Sequence, residues 1–155
     1  VTTTTVARIT LAPREQQVLE GLADGSTLAV VALDLKIREG TAAGYLKLAK
    51  RKLYGMSENA AALAVAYTTE AITRPQLLDP EALFLPDDQR DLVPLLARGM
   101  AAAQMATELK RPVDIIRRDG RDLLTNLRAR NRAHAIKRSW ELQVLTAEQV
   151  VAWLR

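Results

Sequence analysis

The chain contains no cysteine and a single histidine, His134. The first absence excludes disulfides and thiolate metal sites and fits a reducing compartment. The second removes the imidazole sets on which most zinc sites depend, and His134 is expected to be an ordinary helix residue. No apolar run approaches the ~18 residues that a membrane-spanning helix needs, and the opening VTTTTVARIT lacks the charged-then-apolar layout of a secretory signal. A cytoplasmic protein without membrane contact is therefore expected, its threonine run read as a frayed tail. Also missing are a nucleophile–base signature, a phosphate-cradling glycine loop and metal-ligand spacings. The common catalytic classes are excluded on that basis, and no cofactor is expected.

What is present is a repeat. ITLAPREQQVLEGLADG, with Leu11, is echoed about 74 residues later by FLPDDQRDLVPLLARG, with Leu85. An apolar helix pattern ends in both at a glycine, Gly25 or Gly99. Each copy continues through a short apolar segment to a Leu-Lys pair, Leu35-Lys36 or Leu109-Lys110, then a turn and a longer basic segment. Self-similarity at this spacing organises the chain before any single residue does. The formal net charge is only +4, but its distribution is uneven. Residues 36–52 carry six cations against Glu39, and residues 110–138 carry ten against Asp114, Asp119 and Asp122. Residues 70–91 carry six acids and two arginines, so positive charge gathers where each copy places its later helices.

Apolar residues recur at three- and four-residue spacings, with no period-two stretch, so the fold is expected to be all-α. Helices are expected near Pro13 to Asp24, Thr27 to Leu35, Glu39 to Leu53 and Ser57 to Ala71. In the second copy they fall near Asp87 to Arg98, Met100 to Leu109, Pro112 to Leu127 and Asn131 to Leu142. Pro13 suits a first helical position, and Thr27 or Ser57 suits a cap. Asp87-Asp88 favours a helix N-terminus electrostatically. Pro94 interrupts its helix unless the helix bends there. Pro75, Pro80 and Pro86 mark a connector with one short turn near Ala82. A last helix starts at Thr146, where Gln149 completes a capping box. Leu22, Leu35, Leu46, Leu96, Leu109 and Leu127 are assigned to the core. The organisation expected is a first domain over 8–72, a connector over 73–84, a second domain over 85–145 and a terminal helix over 146–155.

The stretch KIREGTAAGYLKLAKRKLYGMSENAAAL resembles the LuxR/FixJ-type helix-turn-helix domain, in which Glu39-Gly40-Thr41, Leu46, Lys52 and Leu53 fall in register. Leu11-Ala12-Pro13-Arg14-Glu15 with Val18-Leu19 is similar to that family's opening. In the second copy, LRARNRAHAI over residues 127–136 is similar to the family's far end. The resemblance covers most of residues 11–139. It implies two four-helix domains, each placing its third helix in the major groove of double-stranded DNA and using its fourth for dimerisation. A transcriptional regulator that reads specific sequences would follow, with a homodimer as a further expectation.

The resemblance places Thr41, Tyr45, Lys47, Lys50, Arg51 and Lys52 toward DNA in the first copy. In the second it places Arg117, Arg118, Arg121, Arg128, Arg130 and Arg132 there. Arg117 stands where the family usually has a base-contacting lysine, and arginine bonds guanine bidentately. The first copy departs from the family's V-K-N-H with Ala42, Ala43, Gly44 and Tyr45. The second has Asp114-Ile115 at the turn, Gly120 in place of an apolar leucine, and Asp119 expected on the reading face. Trp140, Val150, Trp153 and Leu154 either cover the second copy's core or form a dimer or partner contact. Two alternatives stand beside the DNA reader. The second copy is also similar to the promoter-reading region of sigma factors. A degenerate helix-turn-helix adaptor holding RNA polymerase or another regulator would explain the lost lysine.

Overall fold

The computed structural model describes residues 6–154; the threonine run read as a frayed tail lies outside them. Among the described residues there is helix and no strand, and no helix is long and apolar enough to cross a membrane. The first copy forms α1 (Pro13–Ala23), α2 (Leu28–Leu35), α3 (Glu39–Lys52) and α4 (Asn59–Thr68). The connector contains one 3-10 turn, Pro80–Ala82. The second copy forms α5 (Asp87–Arg90), α6 (Leu92–Ala97), α7 (Ala102–Leu109), α8 (Val113–Leu127) and α9 (Arg132–Glu141), and α10 (Ala147–Trp153) follows.

Most ends have local causes. Pro13 opens α1, and the Thr27 hydroxyl accepts the Val30 N–H at 3.2 Å to start α2. The Gln149 side chain accepts the Thr146 N–H at 2.9 Å, the expected capping box. Ser57 does not cap α4: the helix starts two residues later, and the Ser57 carbonyl accepts a bond from Lys50 instead. α4 also stops at Thr68 rather than Ala71. The Thr68 and Thr69 hydroxyls turn back onto the Ala64 and Val65 carbonyls, each at 2.8 Å, and Glu70 takes a left-handed φ of 58°. The helix expected over Asp87 to Arg98 is interrupted at Asp91. Pro94 has no N–H to offer the Arg90 carbonyl, and its ring crowds that group.

The repeat is written into the backbone. Gly25 and Gly99 have φ of 90° and 79°, Lys36 and Lys110 have 58° and 56°, and Tyr54 and Arg128 have 61° and 56°. Each pair is 74 residues apart, so equivalent helices end in the same left-handed caps. Side-chain burial follows the same register. Ala42, Leu46, Ala49 and Leu53 face the core from α3, and Ile116, Leu123 and Leu127 do so from α8. Leu22, Leu46, Leu96 and Leu127 are buried as expected, with Leu35 and Leu109 half-buried against the same cluster.

The core is continuous through both copies. α4, NAAALAVAYT, is buried from Ala60 to Thr68, on every side, as befits a helix apolar all round. It packs against α9, α6, α10 and α1, while α1 in turn packs against α9. These contacts are reciprocal: the fourth helix of each copy meets the fourth helix of the other and the other's opening helix. Tyr67 and Trp140 occupy the same place in α4 and α9, and their rings meet at 5.5 Å between centroids. A residue that touches its own counterpart lies on a two-fold axis. Each helix-ending glycine likewise abuts the start of the other copy's fourth helix. A Cβ on Gly25 would come within 3.0 Å of the Arg130 side chain, and one on Gly99 within 3.0 Å of Glu58.

Polar contacts join the halves at the same seam. The Asn131 amide donates to the Gly25 carbonyl at 3.1 Å, and Lys137 pairs with Asp24. Arg74 donates to the Tyr67 and Thr68 carbonyls at the end of α4 and lies over the Trp140 ring at 5.3 Å, where a cation is favoured by both partners. Of the two roles expected of the C-terminal residues, the packing matches cover for the core. Trp140 and Val150 are buried, and Trp153 and Leu154 are half-buried against the core. α10 closes over α4 and α6, at the junction of the copies, because its apolar side needs cover there.

Two outcomes follow. Val150→Asp places an unpaired carboxylate among apolar atoms and is expected to lower stability by at least about 3 kcal/mol, read as a large drop in Tm. The His134 Nδ1 accepts the Arg130 N–H at 3.0 Å. Burial, with Arg138 and Arg130 nearby, lowers the His134 pKa below its ordinary value. The unfolded chain therefore binds the proton more readily, so stability is full above pH ~6.5 and falls as the pH drops below that value. Urea melts from pH 7.5 to 5.5 should show the loss, and His134→Ala should flatten it at a cost of about 1 kcal/mol at pH 7.5.

Candidate nucleic-acid interface

The two basic helices, α3 and α8, each follow a left-handed lysine, Lys36 or Lys110, that ends the preceding helix and leaves its side chain exposed. Neither lysine was singled out as a site residue from the sequence, although the shared Leu-Lys pair marks both. The turn into α8 is further fixed by Arg111, which donates to Asp91 at 2.6 Å and to the Asp88 carbonyl at 3.1 Å.

On α8 the buried residues Ile116, Asp119, Leu123 and Leu127 define one side. Arg117, Arg118 and Arg121 stand exposed on the other. Arg117 lies 3.7 Å from Asp114, and Arg118 lies 3.7 Å from Asp119. At that separation neither contact is a hydrogen bond, and ion pairs of exposed arginines contribute little. Arg121 has no side-chain partner among the described residues. Asp119 was expected on the reading face. It is 5% exposed and points inward, with Oδ2 unpaired, because it shares its register with Tyr45 on the inner flank of α3. The other three candidate arginines, Arg128, Arg130 and Arg132, follow the helix. Arg128 and Arg130 are exposed, Arg130 against Gly25, and Arg132 donates to the Met100 carbonyl at 2.8 Å.

α3 presents a different surface. Thr41, Lys47 and Arg51 are exposed, and a Cβ added to Gly40 or Gly44 would meet nothing within 4 Å. With Ala43 between them, these glycines leave a smooth helix face where α8 carries arginines. Tyr45 is half-buried and packs on the core. Lys50 donates to the Ser57 carbonyl at 2.9 Å, and burial lowers its pKa despite the nearby Glu58. Lys52 is tied to Glu15 at 2.9 Å. The Glu15 carboxylate is 3% exposed and also accepts the Ala12 N–H. Burial pushes its pKa up, but the bonds from Lys52 and Ala12 outweigh that and leave it below the ordinary value. Lys50 and Lys52 therefore hold the turn and the opening of α1, a role that spacing along α3 does not reveal.

Among the described residues no cluster of histidine, aspartate and glutamate is arranged to hold a metal ion. The arrangement offers one helix face of guanidinium groups, a smoother one where Lys47 and Arg51 have no side-chain partner among the described residues, and exposed lysines at the turns. Lys52→Ala should strand the Glu15 carboxylate and lower stability by about 1–2 kcal/mol. That is less than for a fully buried pair, because Lys52 is about half exposed. Lys47→Ala and Arg51→Ala should change the denaturation midpoint by under about 0.5 kcal/mol.

No protein-family model matches this chain, and no curated protein or solved structure matches it.

Proposed function

We propose that this chain is a sequence-specific, double-stranded DNA-binding transcriptional regulator, built from two unequal LuxR-type helix-turn-helix readers and acting in the bacterial cytoplasm. The observation that carries the reading is the outer face of α8, where Arg117, Arg118 and Arg121 stand free of short ion pairs directly after a left-handed turn. A B-form major groove about 12 Å wide admits one helix, and guanine offers an arginine two acceptors in a plane. Arg117 and Arg118 then read bases, with Lys110 and Arg121 toward phosphate. On α3, Gly40, Ala43 and Gly44 let the backbone come close to the duplex, while Lys47 and Arg51 neutralise phosphate.

The reciprocal packing of α4 and α9 supports a pseudo-dimer within one chain. Such a pair of unequal readers suits an asymmetric site. One observation favours the adaptor reading for the first copy. Leu33 is 76% exposed on α2, and Val30, one turn before it, is also exposed, so this side of α2 offers apolar contact to RNA polymerase or another regulator. A homodimer would present four readers, and no part of the DNA reading depends on it.

Selection of bound fragments from a random duplex pool, at two salt concentrations, tests the proposal. One enriched, asymmetric motif is expected. Arg117→Ala and Arg118→Ala should each relax one base position, at about 1–3 kcal/mol per lost contact. Lys47→Ala and Arg51→Ala should weaken all sequences alike and lower the salt slope by about 0.9 each. Absence of enrichment, or unchanged profiles in all four variants, rejects the proposal.

A further inference from the structure

The two copies differ most where α8 meets its own core. Leu46 is buried on the inner side of α3, and the same position of α8 is Gly120. Beneath Gly120 lies a cavity of about 400 Å³. Its walls are hydrocarbon, from Leu92, Leu96, Met105, Ile116, Leu123 and Leu124. Arg117, Arg121 and Arg132 also line it, and no acidic residue does.

The cavity is open to solvent on the side that Arg117, Arg121 and Arg132 border, so it is accessible from outside the fold. A volume of this size lies in the range of small-molecule sites, about 300–1,000 Å³. Glycine is also a poor choice for a helix interior. Close packing does not demand it here, since a Cβ at Gly120 would meet nothing within 4 Å, and its φ is an ordinary negative one. What the glycine does is leave the space open. In the first copy the equivalent Leu46 stands in this space and lines two separate pockets, of about 310 and 480 Å³, where the second copy has one continuous apolar one.

We infer that this cavity is a binding site for a small apolar acid, whose hydrocarbon part lies under α8 and whose carboxylate meets Arg121, Arg132 and Arg117. Charge selects the class of occupant. Three guanidinium groups border an otherwise hydrocarbon cavity at its open side, and arginine–carboxylate contacts are charge-assisted and can be bidentate. Arg132 is held in place by its bond to the Met100 carbonyl and keeps further N–H groups free. Arg117 and Arg121 belong also to the outer face of α8, so an acid bound here and a DNA duplex compete for them. That competition, unlike the binding itself, rests on the DNA-binding proposal.

Decanoate is the probe, titrated into the full chain by calorimetry and followed on the methyl signals of Met56, Met100 and Met105. Saturable binding is expected, with Met105 shifted and Met56 unmoved. Gly120→Leu should weaken decanoate at least about tenfold and raise Tm, because leucine fills the void and favours helix. Arg121→Ala and Arg132→Ala should each weaken decanoate by about tenfold while leaving decanol unchanged. Non-saturable binding, equal shifts at Met56 and Met105, or arginine variants that bind decanoate normally would overturn the site. If Gly120→Leu fails to fold, the methionine shifts of the unaltered chain decide the matter. With a selected duplex present, decanoate should raise its Kd. Unchanged DNA affinity alongside intact decanoate binding overturns the competition, whereas decanoate binding without any duplex binding overturns the DNA proposal and leaves the site standing.

Discussion

The packing of α4 against α9 is the contact on which the rest of the structure depends. α4 is short, alanine-rich and buried on all sides, so it has no stable existence apart from the helices around it. Alanine lets those helices approach closely, and the large rings of Tyr67 and Trp140 fill the place where the two-fold axis passes. Because both partners belong to one chain, the association that separate protomers achieve at a concentration-dependent free-energy cost is intramolecular here. The connector carries the chain across, and Arg74 fastens its start to the end of α4 and to Trp140.

A covalent pseudo-dimer frees its halves to diverge, since a change in one is no longer forced on the other. The consequence is visible in the paired helices. α8 keeps a guanidinium face on the outside and lacks a side chain on the inside, whereas α3 keeps Leu46 inside and is smooth outside. Cations of equal formal charge have parted in the same way. Lys52 compensates the buried Glu15 and Lys50 fastens a turn, while Arg121 has no such structural partner. Counting basic residues along a helix does not separate these roles, because the distinction lies in what each side chain meets across the fold.

Much of the local structure was legible beforehand. Apolar spacings of three and four residues, proline positions and the caps at Thr27 and Thr146 located the helices to within a few residues. Some helix ends moved for local reasons: the interruption expected from Pro94 fell at Asp91, and α4 stopped at Thr68, where Glu70 turns left-handed. The family register puts Asp119 on the reading face, yet helix periodicity places it beside Ile116 and Leu123 on the inner side. Cover and partner contact both stood open for Trp140 and Val150, because nothing in the linear order says that α10 returns to the junction of the copies.

The sequence by itself determined that the protein is helical, that its helices come in two related sets, and roughly where most of them begin and end, since these follow from propensity, periodicity and the placing of proline and glycine. Tertiary structure alone decided that the sets share a continuous core, that Tyr67 meets Trp140, that Lys52 is committed to Glu15, and that a missing side chain at Gly120 opens a cavity. Those outcomes depend on contacts between residues tens of positions apart, whose energies are set by burial and mutual fit rather than by the identity of near neighbours.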